Sequence, residues 1–477
     1  MFYRAKGKAV CADVIPFYEN GEFKLFYLCD YRNKEKEGEG CPWCLLTTKD
    51  LVHYHDWGPV LLRGNKEEQD LYVFTGCCVK FKEEYMIFYT GHNPHLRAQG
   101  KPEQKILRAV SKDMIHWKKD KHFVLEAPPW LEMHDFRDPF VFYDEENKRY
   151  CMLIAGRLKN NDPIDSKGVT LVAFSSDLTQ WEVSRLPFYA PHAYFTHECP
   201  DLFKMGDWWY LVFSEFTDKV VTTYRMSRSP YGPWITPKVN NFDGHAFYAA
   251  KSVWDGRRRI LFGWNCIKQG ERDNAPWQWG GTIIPHEIVQ AKDGTLYVRC
   301  PDEVRNSYSL SCQIADGFRM GDICEKDGKY TMSGEGKCVQ MFGEMPKNCK
   351  IELFFRTEDD RGDFGVILRE SDDLGKYYVV RFEPKFNRMA FDKFPREENT
   401  RHIQIDVERY CPIAIGEENK LTLIAEDSVL EVYVNDRVAM STRMFDFRRG
   451  NFGVYTHNIG VAFRNISIFR SGEKENL

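Results

Sequence analysis

Thr48-Lys-Asp-Leu-Val-His-Tyr54 and Ser111-Lys-Asp-Met-Ile-His-Trp117 are one phrase written twice, and Ser176-Asp-Leu-Thr-Gln-Trp181 writes it a third time. Ser229-Pro-Tyr-Gly-Pro-Trp234 is a degenerate fourth copy. Each reads as a polar turn that leads into a strand anchored by an aromatic ring. Around these turns five aromatic and β-branched runs recur: Phe23-Lys-Leu-Phe-Tyr-Leu28, Tyr85-Met-Ile-Phe-Tyr-Thr-Gly91, Tyr150-Cys-Met-Leu-Ile-Ala-Gly156, Trp208-Trp-Tyr-Leu-Val-Phe-Ser214 and Arg259-Ile-Leu-Phe-Gly-Trp264. Short strands and turns repeating at this period, without helical periodicity, predict a β-propeller with one four-stranded blade per repeat, hence five blades. An array of separate sandwiches would have no reason to keep the same turn in register with the same strand.

Beyond about residue 300 the turn repeat stops while strand-like alternation continues, as in Lys350-Ile-Glu-Leu-Phe-Phe-Arg356, Tyr377-Tyr-Val-Val-Arg-Phe382 and Leu430-Glu-Val-Tyr-Val-Asn435. Short strands with Gly, Asp and Asn turns predict a two-sheet sandwich. The expected organisation is therefore all-β, a five-bladed propeller over residues 1–300 followed by a sandwich over 301–477, with no low-complexity linker between them.

Composition narrows the function. The formal charge of −4 over 477 residues comes without a Lys/Arg block, so the electrostatic footprint that a phosphate backbone demands is missing and nucleic acid is not an expected partner. No run of about 18 apolar residues exists to span a membrane, and the basic start Met1-Phe-Tyr-Arg-Ala-Lys6 is followed by no apolar segment of a signal peptide. The fifteen cysteines are an odd number set mostly inside strand-like runs, which fits reduced thiols in the cytoplasm. Cys41-Pro-Trp-Cys44 has no second pair or His cluster at ligand spacing, so no metal site is expected. An aromatic content of 15% suits strands and also supplies surfaces on which sugar rings stack.

Three acids stand out by context: Asp13 at the start of the first blade, Asp138 in His134-Asp-Phe-Arg-Asp-Pro-Phe140 and Glu198 in His197-Glu-Cys-Pro-Asp-Leu-Phe203, each followed by an apolar strand. By the repeat count they fall in blades one, three and four. Cleaving a glycosidic bond with retention needs one carboxylate as nucleophile and one carboxylic acid to protonate the leaving oxygen, about 5–5.5 Å apart. A propeller can bring such sequence-distant acids together, because the innermost strand of every blade lines one channel.

At these residues the chain resembles glycoside hydrolase family 32, the invertases, inulinases, levanases and fructosyltransferases. Arg137-Asp138-Pro139 resembles the family's R-D-P motif, Glu198-Cys199 its E-C acid/base motif, and Asp50-Leu-Val-His-Tyr54 its D-L-V-H-W turn. Phe74-Thr75-Gly76-Cys77 is similar to its F-S-G-S sugar-contact segment, and Leu430-Glu-Val-Tyr-Val-Asn435 to a strand of its sandwich. The resemblance implies Asp13 as nucleophile, Glu198 as acid/base and Asp138 as transition-state stabiliser, with no cofactor and a small saccharide, a fructoside or related furanoside, as substrate. Arg137, Thr75 and Cys199 are expected to touch that substrate, with Trp43, Phe74 and Tyr248 as its aromatic platform. The chain also departs from the family. Ala12-Asp13-Val14-Ile15-Pro16 stands where the family has N-D-P-N-G, and Gly244-His-Ala-Phe-Tyr-Ala249 lacks an acid the family carries. The sugar-reading shell has changed around conserved chemistry, so sucrose is expected to be a poor substrate. Open alternatives are a fructosyltransferase, including one that forms or cleaves difructose dianhydrides, an arabinofuranosidase-type propeller enzyme, and a non-catalytic sugar-binding propeller.

Overall fold

A computed structural model of the chain describes residues 1–217, 219–371, 375–394 and 405–472. It divides into two compact units, one of residues 1–241, 247–264 and 279–296 and the other of residues 242–246, 265–278 and 297–477.

The first unit is a five-bladed propeller. Its first blade is Val10–Glu19, Glu22–Asp30, Trp43–Thr48 and His55–Leu61; the second is Tyr72–Phe81, Glu84–His92, Gln104–Ser111 and Lys118–Leu125; the third is Leu131–Asp144, Arg149–Leu158, Gly168–Ser175 and Glu182–Val183. The fourth has three strands, Glu198–Met205, Trp208–Glu215 and Val221–Ser227, with an isolated Met226↔Ile235 bridge at its edge. The fifth is built from Phe247–Trp254, Arg259–Lys268, Trp277–Gln290 and Leu296–Arg299. Cys11 of the first inner strand pairs with Gly281 of the fifth blade, and Tyr3 with Ile283, so the ring closes by strand pairing and leaves no open edge there.

The apolar runs are the second strands of the blades, and they read as continuous because both of their faces are covered. In the third blade Met152 and Ile154 pack with Phe88 and Ile106 of the second, while Cys151 and Leu153 pack with Leu211 and Phe213 of the fourth.

The repeated phrase is the turn after each third strand. Thr48, Ser111 and Ser175 each accept two amide hydrogen bonds on their hydroxyl oxygen, and Oδ1 of Asp50, Asp113 and Asp177 accepts two more from the amides two and three residues further on, at 2.8–3.0 Å. In the third copy the hydroxyl is Ser175, one residue upstream of the Ser176 at which the sequence phrase begins. Leu51, Met114 and Leu178 take positive φ of 61–63° at the apex and bury their side chains.

The second unit is a sandwich. One sheet runs Ile323–Lys326, Lys329–Met332, Val461–Ser471, Asn348–Thr357, Asn419–Glu426, Val429–Val434, Val438–Arg443, with Tyr308–Cys312 also on Val461–Ser471. The other runs Asp316–Met320, Lys337–Glu344, Asn451–His457, Asp363–Glu370, Tyr377–Glu383, Arg388–Phe394, Ile405–Tyr410. Between them lies a core of residues such as Phe355, Phe364, Val380, Leu423, Val432 and Phe463. Among the described residues no helix is long and apolar enough to cross a membrane.

Candidate active site

The inner strands of the first four blades break register at one equivalent place. Before the break Ala12 pairs with Leu28, Phe74 with Thr90, Arg137 with Ala155 and Glu198 with Ser214; after each comes an extra residue, a β-bulge. These pairings align two rings of side chains, Ala12, Phe74, Arg137 and Glu198, then Asp13, Thr75, Asp138 and Cys199. Three of the second ring lie in the left-handed region, Asp13 at φ 41°, Asp138 at 57° and Cys199 at 52°, and Ala249 of the fifth blade matches them at 51°. L-residues hold that conformation only where the surroundings impose it, and such strain gathers at functional sites.

The bulges bring the rings into contact. Thr75 Oγ1 donates to Asp13 Oδ2 at 2.5 Å, and Trp264 Nε1 donates to Asp13 Oδ1 at 3.1 Å. The Cys199 amide donates to Asp138 Oδ2 at 3.0 Å, and the Cys199 thiol lies 3.9 Å from Thr75 Oγ1. Glu198 accepts on both oxygens, from Arg137 at 3.1 Å and from the Tyr248 hydroxyl at 2.7 Å. Arg137 is itself held by Thr196 at 3.0 Å and by Asp135 at 3.0 Å, whose other oxygen accepts from Arg157 at 3.2 Å. The Thr90 hydroxyl donates to the Thr75 carbonyl and accepts from the Asp138 amide at 2.8 Å, fastening the second blade to the third. Lys251, 2% exposed, donates to the carbonyls of Gly76 and Pro200 and so ties the second and fourth inner strands just past their bulges.

Burial pushes the Asp13 carboxyl up to about 7; the Thr75 hydroxyl opposes this, the Asp138 and Glu198 carboxylates add to it, and the Trp264 indole opposes it. Burial also raises Glu198; Arg137 opposes the rise, Asp138 adds to it and Tyr248 opposes it. The Glu198 side chain keeps 23% exposure while Asp138 is buried, so the cluster sits deep with Glu198 open to solvent. Three carboxylates whose oxygens meet protein donors form a set suited to holding protons and sugar hydroxyls.

Of the residues expected from sequence, Asp13, Thr75, Arg137, Asp138, Glu198, Cys199 and Tyr248 meet in this one cluster. Phe74 occupies the first ring, its face stacked on His92 with centroids 4.6 Å apart. Trp43 does not reach the site surface. It is fully buried against Phe26 and Tyr89 and donates to the Phe74 carbonyl, so it supports the wall from behind and cannot be a sugar platform, because no face of it is open. Trp264, Thr90, Asp135 and Arg157 were not anticipated. Trp264 and Thr90 end apolar runs that read as plain core, whereas Asp135 and Arg157 carried no signal beyond their charge.

Two family models match the chain: the N-terminal domain of glycosyl hydrolases family 32 over residues 15–300, and the GH32, BT1760-like, C-terminal domain over residues 294–466. A sucrose-6-phosphate hydrolase of Zymomonas mobilis is 25% identical over 87% of this chain and 80% of its own length. A levanbiose-producing levanase of Bacillus subtilis is 23% identical over 95% of this chain and 87% of its own. Among solved structures, an exo-inulinase from Aspergillus awamori aligns over 99% of this chain and 98% of that one, with a TM-score of 0.73 at 17% identity. The propeller, its bulged acid cluster and the two family models, which together reach from residue 15 to residue 466, thus converge on one conclusion: the chain belongs to glycosyl hydrolase family 32.

Proposed function

We propose that this enzyme hydrolyses β-fructofuranosides with retention of configuration. Asp13 attacks the anomeric carbon of the fructosyl unit while Glu198 protonates the leaving oxygen; Glu198 then takes a proton from water as it displaces Asp13 from the fructosyl-enzyme. Asp138, fixed by the Cys199 amide, holds ring hydroxyls as the oxocarbenium ion develops. Catalysis is carried by residues 1–300, with 301–477 as the sandwich domain, and the protein works in the reducing cytoplasm on a small saccharide. Family membership supports the reaction class, and the names of the relatives support a fructoside.

The observation that carries the assignment of roles is the difference in donors. Asp13 is held by a hydroxyl and an indole, neutral groups that orient an attacking carboxylate without offsetting its charge. Glu198 is held by Arg137 and a phenol, a fixed cation and a hydroxyl that stabilise its carboxylate once the proton has gone to the leaving oxygen. Replacing Glu198 with Ala should cost about 10²–10⁴-fold in rate on a natural fructoside and far less on an activated aryl fructoside, which needs little protonation. Replacing Asp13 with Ala should abolish both. Equal loss on both substrates in the Glu198 variant would withdraw the assignment.

A further inference from the structure

In a two-sheet sandwich the outer face of each sheet is ordinarily polar. The sheet containing Asp363–Glu370 departs from this. Phe364, Val366 and Leu368 of that strand point into the core, while Ile367, on the opposite face, joins a second apolar cluster with Val339, Met341, Tyr377, Val379 and Tyr455. Strand register explains the grouping: Ile367 pairs with Val379, Val379 with Asp392, and Gly365 with both Tyr455 and Arg381. The result is a pocket of about 430 Å³ in which Ile367, Val379, Tyr377 and Tyr455 meet Arg381 and Asp392. Asp392 is 2% exposed; Arg381 reaches its Oδ2 at 2.8 Å, but among the described residues no hydrogen bond reaches its Oδ1. Burial pushes the Asp392 carboxyl up, against the pull of Arg381.

A buried acceptor left unpaired is destabilising, which makes it a mark of something that arrives to fill it. The pocket's chemistry narrows what that is. An apolar ligand would leave Asp392 Oδ1 unpaired. The lining carries both signs, Asp363 and Asp392 against Lys337, Arg381 and the His457 imidazole, so a lone anion or a lone cation meets repulsion as well as attraction; Asp363 also accepts from the Tyr455 hydroxyl at 2.9 Å. A neutral polyhydroxyl ring satisfies all of it: a donor and an acceptor lie side by side for a vicinal diol, with tyrosine and aliphatic surface for the C–H face. The volume is at the lower end of the roughly 300–1,000 Å³ of small-molecule pockets.

We propose that this pocket of the sandwich is a second saccharide site, which takes a fructosyl unit of the substrate or product without hydrolysing it. That the sugar is a fructoside rests on the proposed activity. The test is calorimetric titration of the full chain, with turnover blocked by Glu198→Gln, using short inulin-type and levan-type oligosaccharides. Two binding events per chain are expected, one of them weakened at least tenfold by Asp392→Asn and by Tyr455→Ala. Asp392→Asn in the otherwise unaltered enzyme should leave kcat/KM on a trisaccharide within twofold. Arg381→Lys, which keeps the charge and loses the fork, gives a second variant should either of the others fold poorly. A single binding event in a protein that hydrolyses fructosides would overturn the second site alone, as would two events that both survive all three variants. A wild-type protein that hydrolyses no fructoside would overturn the activity reading and, with it, the identity of the sugar.

Discussion

Asp13 holds a left-handed backbone, a buried carboxyl and two neutral donors at once, and each has a consequence that can be measured. The proposed attack by Asp13 requires its anion, and burial raises its ionisation to about 7. Activity should therefore fall as pH drops below about 7, with the step belonging to the three acids as a coupled group. In the pH profile of kcat/KM on a short fructan, an acid limb near pH 4 would contradict this. The sign for stability is opposite. A carboxyl raised in the folded state favours folding below the ordinary Asp range, and that contribution is lost as pH rises through about 7, so Asp13→Asn should melt higher than the wild type at pH 8. Ala12 and Ile15 also matter at this scale. Both are buried, with 0% and 1% exposure, in the positions where the resemblance puts sugar-contacting asparagines. The acids were legible in sequence because their neighbours form recognisable phrases. Trp264 was not, because a tryptophan closing an apolar run reads as core until the fold shows which end of the strand meets the channel.

The turns and the bulges show at the level of the element why one repeat can be read and another cannot. The turn after the third strand needs a hydroxyl, an Asp two residues on and an aromatic beyond, and therefore writes the same phrase three times. Asp113→Ala removes the acceptor of the Ile115 and His116 amides and should cost about 1–2 kcal/mol in urea unfolding while kcat is unchanged. Unaltered stability would show that water replaces the carboxylate at no cost. The bulge repeats as faithfully in space but is occupied by Asp13, Thr75, Asp138, Cys199 and, by its φ, Ala249, so no sequence pattern announces it. Its backbone is imposed by the ring of neighbouring strands, and the residue there is free to serve the chemistry. Trp43 is the converse, an aromatic beside the site motifs that the strand pleat turns inward, behind Phe74.

For the whole molecule, the blade count was written in the sequence because each blade repeats local signals. The closure of the ring was not, since Cys11 on Gly281 and Tyr3 on Ile283 are contacts that no local window contains. None of the fifteen cysteines is bonded to another, even where Cys11 and Cys29 pair across adjacent strands. Thiol titration of the unfolded protein should count close to fifteen, and several disulfides in freshly isolated material would overturn the cytoplasmic placement. The central claim, a propeller whose acids cleave fructosides through a covalent intermediate, is tested most directly by following hydrolysis of a short fructan by NMR in the first minutes. β-Fructofuranose released first, before it equilibrates with its other forms, is the predicted result. α-Fructofuranose released first would mean direct displacement by water and would contradict the account.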